Sequence, residues 1–568
     1  MIVLGIADNH DSGAAVVIDG KLVSAVNQER IDRVKNSGAF PWGAMDAALE
    51  AAGLTERDVD RIVVGTGFTP STFLRAMPGL HHGAREGGQF SPLLHAYVVY
   101  QSALKATGLH TVEVDASRRL LERRLRAGRP FTQAHIHVMD HHRAHAEGAY
   151  RTQPHDHCLV LTVDAMGDGT TATASLGRDG QLDRLWRQDG LASVNSFYSR
   201  VTQLLGFKPN RHEGKITGLA AYVPPPPALV AHMQQKVAFR APGFTRLRRR
   251  RTERLDDPFW SEVARWSREE VAAAAQHVLE QAVVRFVEHW IRETGCRNVA
   301  LAGGTFANVK LNQRINDTGL VDHLWVFPHM GDGGLAAGAA LGDVGAAPRL
   351  LPHAAWGPSF SRRDMHKALQ RGDCEHTDRG SDPVDGIAGD VARVAALLAE
   401  GKVVARFSGR MEWGPRALCQ RSVLARAHDP SINQWLNDKL QRSEFMPFAP
   451  VVRAEDASRY FLGYETAANA ARFMTCCFDV TEEFRAHAPA AVHVDGTARP
   501  QLVDAETLPG LHAVLTRVGE LTGAPVLINT SFNLHEEPIV CTPSDAVRAF
   551  QQARLDALWM GSFVAERG

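Results

Sequence analysis

The chain lacks the features that tie a protein to a membrane, to nucleic acid or to an oxidising compartment. No apolar run approaches the ~20 residues of a membrane-spanning helix, so no membrane role is expected. Charge is balanced at 63 basic against 63 acidic residues, so no bulk field draws it to nucleic acid or anionic lipid. Seven cysteines form an odd set with no CxxC, which argues for reduced thiols and a reducing compartment. The opening MIVLGIAD is a strand-length apolar run without a basic n-region. The expected location is the cytoplasm. The remaining composition is ordinary for a globular protein, and 568 residues predict two or more domains.

Histidine is plentiful, at 26 residues, and its placement carries the most information. His141 and His145 in HHRAH stand at i, i+4, which on a helix stacks both imidazoles on one face. His142, about 100° away, points elsewhere. Asp164 in VLTVDAMGDGT and Asp332 in FPHMGDGG end strand-like runs. Two histidines and two aspartates make a mixed nitrogen and oxygen site that suits iron(II), zinc or manganese and is too hard for copper(I).

The front half contains a repeat. IVLGIADNHDSGAAVVIDGKLV from Ile2 and LVLTVDAMGDGTTATASLGRDGQL from Leu159 each run strand, acid (Asp8, Asp164), polar turn, strand, Asp-Gly hairpin and strand. Two such units about 157 positions apart predict a duplicated β-sheet domain. A third segment, VALAGGTFANVKLN, follows a helical pattern over Glu269 to Thr294. It places Gly303-Gly304 between a strand and a helix, an arrangement that favours anions.

These features resemble the sugar kinase, Hsp70 and actin superfamily, in the branch that carries a metal. The back half narrows the resemblance. GKVVARFSGRMEWGPRALCQRSVLA from Gly401, HVDGTARPQLV and APVLINTSFNLHEEPIV from Ala524 resemble the carbamoyltransferase family of the nodulation and antibiotic-tailoring type. The resemblance implies an α/β protein with an N-terminal duplicated actin/Hsp70-like (Kae1-like) domain over 1–355 and a C-terminal YrdC-like domain over 356–568. A Gly-Pro hinge falls in AAWGPSFS, Ala354 to Ser361.

The implied activity is ATP-dependent O-carbamoyl transfer. The YrdC-like domain turns carbamoyl phosphate and ATP, with Mg2+, into carbamoyl-adenylate. The Kae1-like domain moves the carbamoyl group to a hydroxyl of a small molecule, such as a natural product in antibiotic tailoring. The resemblance makes His141, His145, Asp164 and Asp332 the metal ligands, with iron(II) first and zinc or manganese next. His10 becomes the general base, and Gly303, Gly304, Asn308 and Lys215 hold the adenylate. Arg416, Arg421 and Arg499 match the anion-binding positions, because guanidinium groups take phosphate bidentately. Ser531 and Asn533 orient the carbamoyl group. No nucleic-acid or membrane partner is expected, and a homodimer is compatible with the sequence. The competing readings are a tRNA threonylcarbamoyl-transferring fusion and a non-catalytic ATP-binding module.

Three positions depart from the family pattern. Met446 stands where an arginine is usual before PFAP, and Lys439 and Arg442 are the local substitutes. Cys419 replaces a usual glycine and is expected at a backbone angle open to other residues. Glu536 replaces another glycine. The run RLRRRRTER from Arg246 reads as a solvated face. The stretch from Thr66 to Pro130 reads as an insertion over the acceptor pocket.

Overall fold

A computed structural model describes residues 1–77, 92–127, 129–131, 133–190, 192–245, 257–380, 388–440 and 447–567. The basic run from Arg246, and Arg442 and Met446, lie outside the described residues, as does part of the Thr66 to Pro130 stretch. The chain divides into two compact units. One gathers Met1–Val23, Gly38–Met45 and Ala52–Leu350; the other gathers Ser24–Ser37, Asp46–Ala51 and Leu351–Gly568.

The first unit contains two five-stranded sheets. β1 (Ile2–Ala7), β2 (Gly13–Ile18), β3 (Lys21–Asn27), β4 (Arg61–Val64) and β5 (His135–Val138) lie in the order β3-β2-β1-β4-β5. β6 (Cys158–Gly167), β7 (Thr170–Arg178), β8 (Gln181–Asp189), β9 (Asn298–Ala302) and β10 (His323–Val326) lie in the order β8-β7-β6-β9-β10. In both, the first strand pairs antiparallel with the second and parallel with the fourth. The same order twice is the duplication the repeat predicts. Both hairpins turn through Asp-Gly pairs with positive φ, at Asp19-Gly20 and Asp179-Gly180. That is the type I′ geometry that matches strand twist.

Four helices carry or support the candidate residues of this unit. α1 (His141–Arg151) starts at Asp140, whose side chain accepts the Arg143 N–H. α2 (Arg268–Thr294) has a Ser267/Glu270 capping box and ends at left-handed Gly295. α3 is Val309–Asn316 and α4 is Leu335–Val344. The small residues of α4 let it press against α1, and a Cβ at Gly338 would meet the Ala144 carbonyl oxygen at 2.0 Å.

The second unit is built on one mixed eight-stranded sheet. Its strands are β11 (His376–Asp378), β12 (Val404–Phe407), β13 (Arg421–Arg426), β14 (Ala449–Arg453), β15 (Gln501–Val503), β16 (Val526–Ser531), β17 (Ala557–Met560) and β18 (Phe563–Glu566). Their order is β11-β18-β17-β12-β13-β16-β14-β15. α5 (Gly389–Ala399) and α6 (Pro509–Thr522) share an apolar core with it, including Val394, Leu398, Val404, Leu424, Leu515 and Leu527. The N-terminal segment that groups with this unit braces its loops. Arg30 donates to the Gly414 carbonyl at 2.9 Å, and Arg33 donates to the Pro538 and Ile539 carbonyls at 2.7 Å each.

Candidate metal centre and anion-binding residues

α1 brings His141 and His145 together as the i, i+4 spacing predicts, with ring centroids 4.8 Å apart. Asp164 reaches them from β6, whose register breaks between Val163 and Gly167, and such a bulge re-aims a side chain. Asp332 comes from the short 3-10 turn that opens α4. His141 Nε2 lies 3.2 Å from Asp164 Oδ2 and 3.6 Å from Asp332 Oδ1. His145 Nε2 lies 3.6 and 3.5 Å from the same two atoms. All four residues are buried, and their donor atoms lie within 4.8 Å of one another.

The arrangement fits a cation. An ion about 2.1 Å from each donor requires donors roughly 3–4 Å apart. Both ring nitrogens of His145 and Nδ1 of His141 are buried without a hydrogen bond. An unsatisfied buried polar group costs about 1–3 kcal/mol, and coordination removes that cost at His145 Nε2. Each carboxylate is divided in its duties. Asp164 Oδ1 accepts the Gly304 N–H at 3.1 Å, and Asp332 Oδ2 accepts Asn9 Nδ2 at 2.7 Å. The other oxygen of each faces the imidazoles.

Burial pulls the His141 pKa down, but the Asp332 and Asp164 carboxylates outweigh it and raise it to about 9. Burial likewise opposes ionisation of Asp164, yet the hydrogen bond from His141 and the charges of His141 and His145 hold its carboxyl well below the usual range. In the metal-free protein a proton thus occupies the place of positive charge. Behind His141, Asp168 accepts the main-chain N–H of His141, Gly67 and Phe68 at 2.9, 2.7 and 2.8 Å.

His10 stands at the edge of this cluster, with its side chain 31% exposed. Its Nε2 is 3.3 Å from Asp332 Oδ2 and its Nδ1 is 3.3 Å from Asp11 Oδ2. Gly303 adopts φ 99°, and a Cβ there would meet the Val163 carbonyl oxygen at 2.3 Å, so only glycine serves. Asn308 caps α3 through Leu311 N–H and exchanges two hydrogen bonds with Gln276. Lys215 sits with Nζ 5.6 Å from the Phe207 ring centroid. Sequence reasoning passed over Asn9 and Asp168, although both lie inside the motifs DNHDSG and VDAMGDG. It also passed over Arg75, whose buried guanidinium clamps Asp8 through Nε and Nη2 at 2.8 and 3.0 Å.

In the second unit, Arg416, Arg499 and Ser531 are half-buried, and Lys439 places Nζ 5.2 Å from the Trp435 ring centroid. Asn533 donates to the Leu534 and Glu537 carbonyls at 2.9 and 2.7 Å. Arg421 is fully buried over the Phe407 ring and gives its terminal nitrogens to the Ser408, Gly409 and Gln420 carbonyls. Its neighbour in sequence, Ser422, pairs with Ser531, so strand alternation puts Arg421 and Ser531 on opposite faces. Cys419 corrects one expectation. It holds the left-handed φ of 72° that suits a glycine. The strained turn is kept because its N–H donates to Ser422 Oγ at 3.0 Å and its Sγ to Gln501 Oε1 at 3.1 Å. Glu536 also has a positive φ, 61°.

Residues 2–341 match the family model of the carbamoyltransferase N-terminus, and residues 395–567 match that of the carbamoyltransferase C-terminus. The chain belongs to the carbamoyltransferase family. An uncharacterized protein of Synechocystis sp. is 32% identical over 99% of this chain and 96% of its own length. The nodulation protein NolNO of Sinorhizobium fredii is 30% identical over 98% of this chain and 79% of its own length. Among solved structures, T. kodakarensis HypF aligns at 14% identity and a TM-score of 0.32, over 61% of this chain and 47% of that one. The carbamoyltransferase is an enzyme of α/β architecture. Among the described residues, no helix is long and apolar enough to cross a membrane.

Proposed function

We propose that this carbamoyltransferase activates carbamoyl phosphate with ATP in its C-terminal domain and carbamoylates a hydroxyl of a small molecule, such as a natural product, in its N-terminal domain. In the first step water and carbamoyl phosphate give carbamate and phosphate. Carbamate then attacks the α-phosphorus of ATP, expelling pyrophosphate and leaving carbamoyl-adenylate. In the second step the acceptor oxygen attacks the carbamoyl carbon, AMP leaves, and the hydroxyl proton goes to a base.

The convergence of His141, His145, Asp164 and Asp332 carries this reading for the N-terminal domain. The set fits iron(II), zinc or manganese(II), and a bound ion would supply Lewis-acid and orienting chemistry. The chain's own residues supply the rest. His10 is the base in this reading. Asp332 and Asp11 lie 3.3 Å from its Nε2 and Nδ1 and orient the ring. Gly303 and Gly304 bring main chain close to Asp164, with Asn308 and Lys215 on the adenylate side.

Arg416, Arg499 and Lys439 balance the phosphate charge in the C-terminal domain, while Ser531 and Asn533 orient the carbamoyl group. Arg421 acts by holding the Ser408–Gly409 turn. The test is purified full-length protein with ATP, Mg2+ and carbamoyl phosphate but no acceptor. Release of phosphate and pyrophosphate, with carbamoyl-adenylate detected by mass spectrometry, is the expected result. Folded protein that binds ATP and releases no pyrophosphate would refute the donor chemistry.

A further inference from the structure

Arg406, on β12, is 4% exposed, and no hydrogen bond or ion pair with a described residue reaches its guanidinium. Nε and Nη1 are buried without an acceptor. The guanidinium carbon sits 4.3 Å from the centroid of the Trp559 ring. Burial lowers its pKa to about 10, against the pull of Glu412 and Asp390. Neither acid pairs with it. Glu412 Oε1 accepts the main-chain N–H of Leu418, Gln420 and Arg421, and Asp390 Oδ2 accepts Trp559 Nε1. A buried charge without a partner is expensive, and proteins keep one where a ligand completes it.

The sheet register shows where this charge lies. Trp559, Arg406, Ser422 and Ser531 are partners in sequence across β17, β12, β13 and β16, so they form one row on one face. Strands lie about 4.8 Å apart, which puts Arg406 and Ser531 about 10 Å apart at their Cα atoms. An arginine side chain spans most of that distance. On the same face, two residues before Ser531, Asn529 is buried with Oδ1 lacking any donor. Unsatisfied donors on Arg406 and an unsatisfied acceptor on Asn529 thus flank Ser531. Carbamoyl phosphate offers the complement of both, an oxyanion and an amino group.

We propose that Arg406 is a further anion-binding residue of the donor site, pairing with an oxyanion of carbamoyl phosphate held beside Ser531. The assignment rests on the reading that the C-terminal domain binds carbamoyl phosphate. It answers the loss of the usual arginine at Met446 with a cation on β12, in addition to Lys439.

The test compares full-length wild type, Arg406→Met and Arg406→Lys, by calorimetric titration with carbamoyl phosphate and inorganic phosphate and by thermal melting with and without each. Methionine fits the apolar surroundings and removes the charge. The expected result is at least tenfold weaker carbamoyl phosphate binding by Arg406→Met, a ligand-free Tm equal to or above wild type, and loss of the ligand-induced rise in Tm. Arg406→Lys should bind with intermediate affinity. Wild-type affinity in Arg406→Met overturns the assignment alone, and a lowered ligand-free Tm with that affinity gives Arg406 a structural role. If Arg406→Met does not fold, undiminished affinity in Arg406→Lys overturns it instead. Wild type that binds neither anion defeats the donor-site reading and the assignment together.

Discussion

His142 donates from Nε2 to the Thr170 carbonyl at 3.0 Å, which fixes its tautomer, because a carbonyl oxygen only accepts. Nδ1 is then the acceptor for the Thr162 hydroxyl at 2.7 Å. Burial, joined by the charges of His141 and His145, pushes the His142 pKa well below the usual value, so it is neutral. The central histidine of HHRAH is therefore a strut that anchors α1 to β6 and β7, while its two companions face the metal cluster.

That division predicts the behaviour of His142→Phe. The Thr170 carbonyl loses its donor and the Thr162 hydroxyl loses an acceptor, at a cost of about 2–3 kcal/mol. Thermal melting should show a clear fall in Tm, while metal content per chain stays near that of wild type. Metal loss with an unchanged Tm would instead make His142 a ligand.

Metal affinity should climb with pH. Raising the His141 pKa from 6.5 to about 9 means its protonated form stabilises the metal-free fold fully below about pH 6.5. That contribution disappears as pH rises through 9. A metal ion displaces this proton, so binding grows stronger by up to tenfold per pH unit until about pH 9. Titrations at pH 7, 8 and 9 check it, and a flat profile would contradict the assignment of His141. Asn9→Ala should lower the affinity by about 10–100-fold at each pH, because Asp332 loses the amide that orients it.

Glu536→Gly should stabilise the protein. A non-glycine residue in the left-handed region costs about 1–2 kcal/mol, and Glu536 at φ 61° bears that cost. Against it stands the added chain entropy of glycine, which leaves a gain of about 0.5–1 kcal/mol. Denaturant unfolding measures the difference. A loss of stability would show that the Glu536 side chain contributes more than its backbone costs.

The most legible parts of this chain were those written in short-range pattern. The strands that carry Asp164 and lead to Asp8, with their Asp-Gly hairpins, revealed the duplication, and the helical pattern over Glu269 to Thr294 matches α2. The i, i+4 pair and the aspartates of VDAMGDG and HMGDGG, Asp164 and Asp332, placed four residues that the fold brings together from α1, β6 and the start of α4. Features made by contacts distant in sequence were not legible. Arg30 and Arg33 grip carbonyls of the GPRAL and EEPIV loops 384 and 506 residues away, and nothing near them in sequence records it. Nothing within GKVVARFSGR marks Arg406, and only the register sets it opposite Ser422 and Trp559. Cys419 shows the converse limit, since side-chain identity argued for an ordinary angle while the Ser422 and Gln501 contacts preserve that of a glycine.

One measurement tests the division of labour between the two domains. Carbamoyl-adenylate is followed by mass spectrometry in His145→Ala and Arg416→Ala, each with ATP, Mg2+ and carbamoyl phosphate, with metal content determined alongside. The account predicts that His145→Ala loses its metal yet still forms the adenylate, while Arg416→Ala keeps its metal and forms none. Adenylate made by Arg416→Ala, or its absence in folded His145→Ala, would contradict the account.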